Sequence, residues 1–251
     1  MKTGMIAEGL RAHVLSCCEE QNLVDVRIGL GYTAVLLEDG SAGVAYTFHE
    51  QAAAGCSVFR GRRPLAGCST QEVLQYLGSS DPVESAVGLA VANALVNRPY
   101  PGQEEGDILG VLSVRPEDRV GMVGYFGPLV APLEKRVREL TIIERNAARS
   151  EKVLPAEEAL ERLPSCDVSI ITSTALILGD LDGLLEAAST CREVALVGAS
   201  TPLACTVFAS RGVTLLSGVI VKDAAGVLRI VSEAGGMGFF GRRVQKVNMR
   251  I

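Results

Sequence analysis

Two groups of residues in this chain could do chemistry. The first is a set of glycines and hydroxyls lying just after short apolar runs. It comprises Gly124, Tyr125, Phe126, Gly127 and Pro128 within VGMVGYFGPLV, the triplet Thr172-Ser173-Thr174, the run Gly198-Ala199-Ser200-Thr201-Pro202, and Ser217 before Gly218. Glycine lets backbone approach a ligand closely, and a helix starting after such a loop turns N–H groups toward an anion. Gly121, Gly124 and Gly127 follow a Gly-x-x-Gly-x-x-Gly spacing, which is not the Gly-x-Gly-x-x-Gly fingerprint of dinucleotide-binding folds. Glu144 nevertheless falls 20 residues after Gly124, where a ribose-binding acid would sit. Ser200 or Thr201 could cap a helix that has Pro202 at its first position. Two hydroxyl clusters at neighbouring strand ends exceed what capping needs, so they predict a polar pocket. With no Gly-x-Ser-x-Gly elbow and no histidine after His49, a serine hydrolase is a poor reading.

The second group could ligate a metal. His49, Glu50, Cys56 and Cys68 lie within Tyr46 to Ser69, and imidazole, carboxylate and thiolate suit Zn²⁺, Co²⁺ or Ni²⁺. Their spacing matches no compact metal motif, and each cysteine reads more readily as a small buried apolar residue than as a ligand. His49 and Cys56 are the candidate metal ligands, with His49 or Glu144 the acid or base if the chain is an enzyme. Cys17 and Cys18 are neighbours on a predicted helix and would point about 100° apart, a poor chelating pair. Asn93 interrupts the apolar helix AVGLAVANALVN. A buried amide must find partners, so it is either a structural tie or a donor to the pocket.

A chain of 251 residues with 48% hydrophobic and 21% charged side chains can bury a substantial core. A net charge of −5 gives no general attraction to phosphate backbones, so nucleic acid is not an expected partner. Seven cysteines without a CxxC pair predict reduced thiols in a cytoplasmic protein. The N-terminus lacks a continuous apolar signal region, and no run is long enough for a membrane span. Met5 to Gln21 has helical periodicity; Val24 to Leu30, Ala34 to Leu37 and Ala42 to Phe48 predict a strand meander. Ser69 or Thr70 and then Asp81-Pro82 start two further helices. Asn97-Arg98-Pro99-Tyr100-Pro101-Gly102 cannot continue a helix, which predicts two domains, 1–100 and 101–251.

Beyond that break, apolar runs at Val120–Val123, Leu140–Ile143, Val168–Ile171, Val194–Val197 and Val213–Leu216 alternate with helical patterns. Short, doubly apolar strands alternating with helices imply a parallel sheet covered on both faces. A final strand is expected around Leu228 to Val231, pairing with Val219 to Val221, before a glycine-rich tail. In such sheets ligands bind beyond the carboxyl ends of the strands, where the order reverses.

Taken together, GLGYTAVLL, GCSVFRG with PLAG, DPVESAVGLAVANALVN, VGMVGYFGPLV, ITSTALILGDLDGLLE, VALVGASTPL, and GVTLLSGVIVKD with SEAGG resemble the heavy-metal chelation family of bacteria and archaea. The resemblance runs through nearly the whole chain in order. It implies an α/β protein with a smaller N-terminal α+β domain like that of enolase, followed by a Rossmann-like domain with a mainly parallel sheet. It also implies a site in the cleft between them, holding the glycine loop, Thr172 to Thr174, Gly198 to Pro202 and Asn93. The expectation is binding of a small anionic or metal-chelating ligand. The alternative is an enzyme acting on a small molecule or nucleotide-like cofactor at the same cleft. A divalent transition metal and a bound small anion are the cofactor candidates; a small-molecule partner is expected, and homo-oligomerisation is left open.

Overall fold

The computed structural model describes residues 4–52, 57–146 and 153–251. Helix α1 (Met5–Cys17) buries Ile6, Leu10 and Val14 along one face. Strands β1 (Leu23–Ile28), β2 (Tyr32–Leu37) and β3 (Ala42–Tyr46) follow as the antiparallel meander their alternation predicts. Helix α2 (Thr70–Leu74) begins with a capping box. Ser69 accepts the Glu72 N–H at 3.3 Å, and the Glu72 carboxylate accepts the Ser69 N–H at 3.1 Å. In helix α3 (Pro82–Val96), Asp81 caps Val83 and Glu84 while Pro82 opens the first turn.

Helix α3 is apolar on all sides, so it must be covered on all sides. It packs on β2 and β3, against α1 and α2, and against the short helix Ala175–Leu178 of the second half. At Gly43 in β3 an added Cβ would lie 2.2 Å from the Ala90 carbonyl oxygen, so only glycine allows this helix and strand to approach so closely.

The second half adds β4 (Glu104–Glu105), β5 (Arg119–Val123), α4 (Gly127–Glu134), β6 (Glu139–Glu144), β7 (Val153–Pro155), α5 (Ala159–Arg162) and β8 (Val168–Thr172). After these come α6 (Ala175–Leu178), α7 (Leu181–Ala187), β9 (Glu193–Val197), α8 (Cys205–Ala209), β10 (Leu215–Val221), α9 (Ala224–Ser232), α10 (Met237–Phe240) and β11 (Val244–Arg250). Eight strands form one sheet in the order β4-β11-β10-β9-β8-β5-β6-β7, parallel from β10 to β7 with an antiparallel β11–β4 edge. From β5 the chain steps outward to β6 and β7, then returns to lay β8 on the other side of β5. This is the doubly wound Rossmann order, and its switch point lies between β5 and β8. The fold is therefore the expected α/β class.

Two expectations need correction. Leu228–Val231 is not a strand but part of α9, where Val227, Leu228 and Val231 recur at helical spacing and Asp223 caps the Gly226 N–H. The closing strand is instead β11, which pairs antiparallel with β10 along its whole length. Ser200 and Thr201 do not cap a helix, because α8 begins only at Cys205. Helix α9 has a consequence for architecture, since it packs on β1 and β2. Val227, Leu228 and Val231 meet Ala34 and Val44 there, so the small sheet is held between α3 and a helix from the far end of the chain. No helix among the described residues is long and apolar enough to cross a membrane.

Candidate functional site

At the switch point the strand tips surround a cleft of about 800 Å³. Its floor is made where β5 and β8 end. Gly124 follows β5 with φ +96°, and a Cβ there would lie 2.9 Å from the Thr172 Cβ. Glycine is required both by that backbone conformation and by the approach of the two strand ends. The Gly124 N–H donates to the Ile143 carbonyl at 2.8 Å, which keeps the loop against β6. At the tip of β6, Glu144 uses one carboxylate oxygen to accept the Tyr125 N–H at 2.9 Å and the other to accept the Arg145 N–H at 2.7 Å. The hydroxyls of Thr172 and Thr174 share a hydrogen bond at 2.9 Å.

The opposite wall comes from the small sheet. Tyr46 and Phe48 line the cleft at the end of β3. Behind them runs a chain of edge-to-face rings, Phe240–Tyr32, Tyr32–Tyr46 and Tyr46–Phe48, with centroids 5.4, 5.7 and 4.9 Å apart. Edge-to-face packing of this kind gives a wall with little side-chain freedom. Burial, followed by the neighbouring Tyr46, pushes the Tyr32 phenol up to about 12, so it stays neutral within that stack. The rim is charged: Arg145 pairs with Asp180, and Glu157 stands exposed beside Ala156.

Of the residues singled out in the sequence, Gly124, Tyr125, Phe126, Glu144, Thr172 and Thr174 line this cleft. Gly127 and Pro128 lie just beyond it, opening α4. A second set occupies a buried seam instead. Asn93 donates to the carbonyls of Val44 at 2.8 Å and Ser200 at 3.1 Å. Ser200 accepts the Tyr46 N–H at 2.8 Å. Asn97 donates to the Thr201 and Val219 carbonyls at 2.9 and 3.2 Å and accepts the Leu203 N–H at 2.8 Å. Thr201 and Pro202 are buried in the same seam. The Ser173 N–H donates to the Val197 carbonyl, and the Gly198 N–H to the Ser217 carbonyl, which stitches the tips of β8, β9 and β10 together. The seam thus positions the cleft wall without lining it.

Arg145, Asp180, Tyr46, Phe48 and Glu157 were not singled out in the sequence. Arg145 directly follows Glu144, and Tyr46 and Phe48 are paired aromatics at a strand end. Those were the available signals. Asp180 and Glu157 had none.

His49 heads an exposed one-turn helix after Phe48 and is not among the residues lining the cleft. Cys56 lies outside the described residues. Cys68 is buried, with its thiol 3.5 Å from the Pro64 carbonyl. Burial pushes the Cys166 thiol up to about 11 and raises that of Cys191 as well, which disfavours thiolates there. Among the described residues, no three His, Cys, Asp or Glu side chains come together as a metal cage. The described residues do not fit a resident ion held by protein ligands alone.

Comparison with known proteins agrees with this fold. Residues 107–250 match the DUF364 family and residues 12–96 match the DUF4213 family, both described as "Putative heavy-metal chelation". A crystal structure of a DUF364 protein of unknown function from Desulfitobacterium hafniense is 25% identical, covers 98% of each chain and superposes with a TM-score of 0.80. One from Pyrococcus horikoshii, 21% identical and also of unknown function, covers 98% of this chain and 100% of its own with a TM-score of 0.87. Curated proteins give no match. With more than half of its length matched by one model, the chain belongs to the DUF364 family, "Putative heavy-metal chelation".

Proposed function

We propose that the cleft binds a small molecule that carries a metal as its chelate, neutral or cationic overall, rather than a free anion. The charge of the lining supports this reading. Glu144, Glu157 and Asp180 face Arg145, three carboxylates to one guanidinium among the described lining residues, and Arg145 is already paired with Asp180. Like charge at a binding surface repels, so an acidic rim selects against phosphate-like ligands. The glycine loop does not offset this, because Glu144 already accepts the Tyr125 N–H that an anion would otherwise use. Tyr46, Phe48, Leu160 and Leu178 add apolar surface suited to an organic ligand frame. A metal that arrives inside its own chelator also needs no protein cage.

A thermal-shift series with nickel(II) bis-histidine, histidine alone, nickel chloride, citrate and inorganic phosphate tests the proposal. The chelate should raise the melting temperature by about 2–4 °C per kcal/mol of binding linkage, and the other four should not. Stabilisation by phosphate or citrate with none by the chelate would refute it. A second reading, a nucleoside-like ligand whose ribose hydroxyls meet Glu144, draws on that acid's place at the tip of β6 next to the glycine loop. Stabilisation by adenosine that is lost in Glu144→Gln would favour it.

A further inference from the structure

Away from the cleft, Cys17 and Cys18 bring two sulfurs together. Cys17 ends α1, while Cys18 caps it with φ −112° and ψ 141°, an extended conformation, its N–H still donating to the Val14 carbonyl. The chain leaves the helix between them, so the angular separation expected of helical neighbours does not apply. Their Sγ atoms lie 3.6 Å apart. Cys17 Sγ is also 3.6 Å from His13 Nε2, one helical turn back, and His13 Nδ1 faces Thr206 Oγ1 at 3.4 Å. Cys17 is exposed; Cys18 is half-buried beneath the Leu95 carbonyl.

The geometry points to a second site, independent of the cleft: a vicinal dithiol at the end of α1 that chelates a trivalent arsenical. Two sulfurs bonded at about 2.3 Å to one centre at the roughly 100° angle of a pyramidal arsenic(III) stand about 3.5 Å apart, whereas a linear dithiolate would hold them about 4.6 Å apart. The observed 3.6 Å fits the bent case and not the linear one. Thiolates select soft centres. An organoarsenic(III) centre brings its third substituent with it, so two protein sulfurs complete its shell where no three-residue cage is available.

With phenylarsine oxide the step balances without an oxidant. Two As–S bonds replace the bonds from arsenic to oxygen, the two thiol protons leave with that oxygen as one water, and arsenic stays trivalent. His13 Nε2 is placed to take the Cys17 proton as that sulfur attacks. Burial, then the hydrogen bond and charge of Cys17, push the Cys18 thiol up to about 11. Cys17, exposed and beside His13 Nε2, attacks first, and the half-buried Cys18 closes the ring, losing its proton as the second As–S bond forms.

The test is intact-mass spectrometry of the reduced full-length protein with one equivalent of phenylarsine oxide. One phenylarsenic adduct per chain is expected, reversed by an excess of a small dithiol, absent from C17S and from C18S, and retained in C166S. H13A should keep the adduct but form it several-fold more slowly; a rate equal to that of the parent protein overturns the proton-transfer role. Circular dichroism checks that the variants are folded, and the exposed position of Cys17 makes C17S decisive even if C18S is unstable. No adduct on the folded parent protein, or an adduct surviving in C17S, overturns the site.

Discussion

The Ser200 hydroxyl accepts the Tyr46 backbone N–H at 2.8 Å, joining residues 154 positions apart. Tyr46 stands at the end of β3 and forms part of the cleft wall, so this bond sets the small sheet against the tips of the large one. Ser200→Ala leaves a part-buried N–H without its acceptor and should destabilise the protein by about 1–3 kcal/mol. Urea unfolding measures it, and a change within error would show that the bond is not a tie.

Asn97 is used more fully. Its amide serves two carbonyls and one N–H, all buried and all more than 100 residues away in sequence. Asn97→Leu, close in volume but unable to make any of the three, should destabilise more than Ser200→Ala does in the same unfolding experiment. The reverse ranking would place the main tie elsewhere.

These two residues show where the sequence was legible and where it was not. The glycine loop, Glu144 and the Thr172 hydroxyl are legible because they directly follow apolar runs, and in a doubly wound sheet strand tips form the cleft. Ser200 looked like the same signal, yet its hydroxyl is turned to a backbone partner from a distant segment, and Asn93, read as either a tie or a pocket donor, donates to two distant carbonyls. Nothing local announces a partner 107 residues away. Strand β11 was missed for a related reason. VQKVNMR is mostly polar, half-exposed and close to an edge, so its pairing with β10 is carried by backbone hydrogen bonds rather than by an apolar run. The apolar run of α9 was misread as a strand because four residues cannot distinguish a buried strand from one turn of a helix.

Gly124 carries two demands, a positive φ and contact with Thr172. Gly124→Ala should cost about 1–3 kcal/mol, since a Cβ is strained in that conformation. It should also perturb the cleft floor. Stability equal to that of the parent protein would contradict the assigned backbone conformation.

Asp39 links the β2–β3 turn to Arg98, two residues beyond the end of α3. Partial burial raises its carboxyl, but hydrogen bonds from Ser41 and Arg98, with the Arg98 charge, outweigh this and bring it down to about 2 from the ordinary 3.8. A depressed folded-state value means the contribution is present above the unfolded value and is lost as pH falls from about 4 toward 2. Unfolding between pH 2 and 5 should therefore show a shallower acid dependence in Asp39→Asn than in the parent protein. Parallel curves would remove the residue from the pH response.

The most direct test is calorimetric titration of nickel(II) bis-histidine into the parent protein and into Thr174→Trp, whose indole fills the space between the strand tips and the Tyr46 wall. The account predicts saturable one-to-one binding to the parent protein, and loss of binding in a variant whose melting temperature is retained. Equal binding to both proteins would place the ligand outside the cleft. Absence of heat with the chelate, alongside saturable binding of phosphate, would contradict the charge argument on which the proposed function rests.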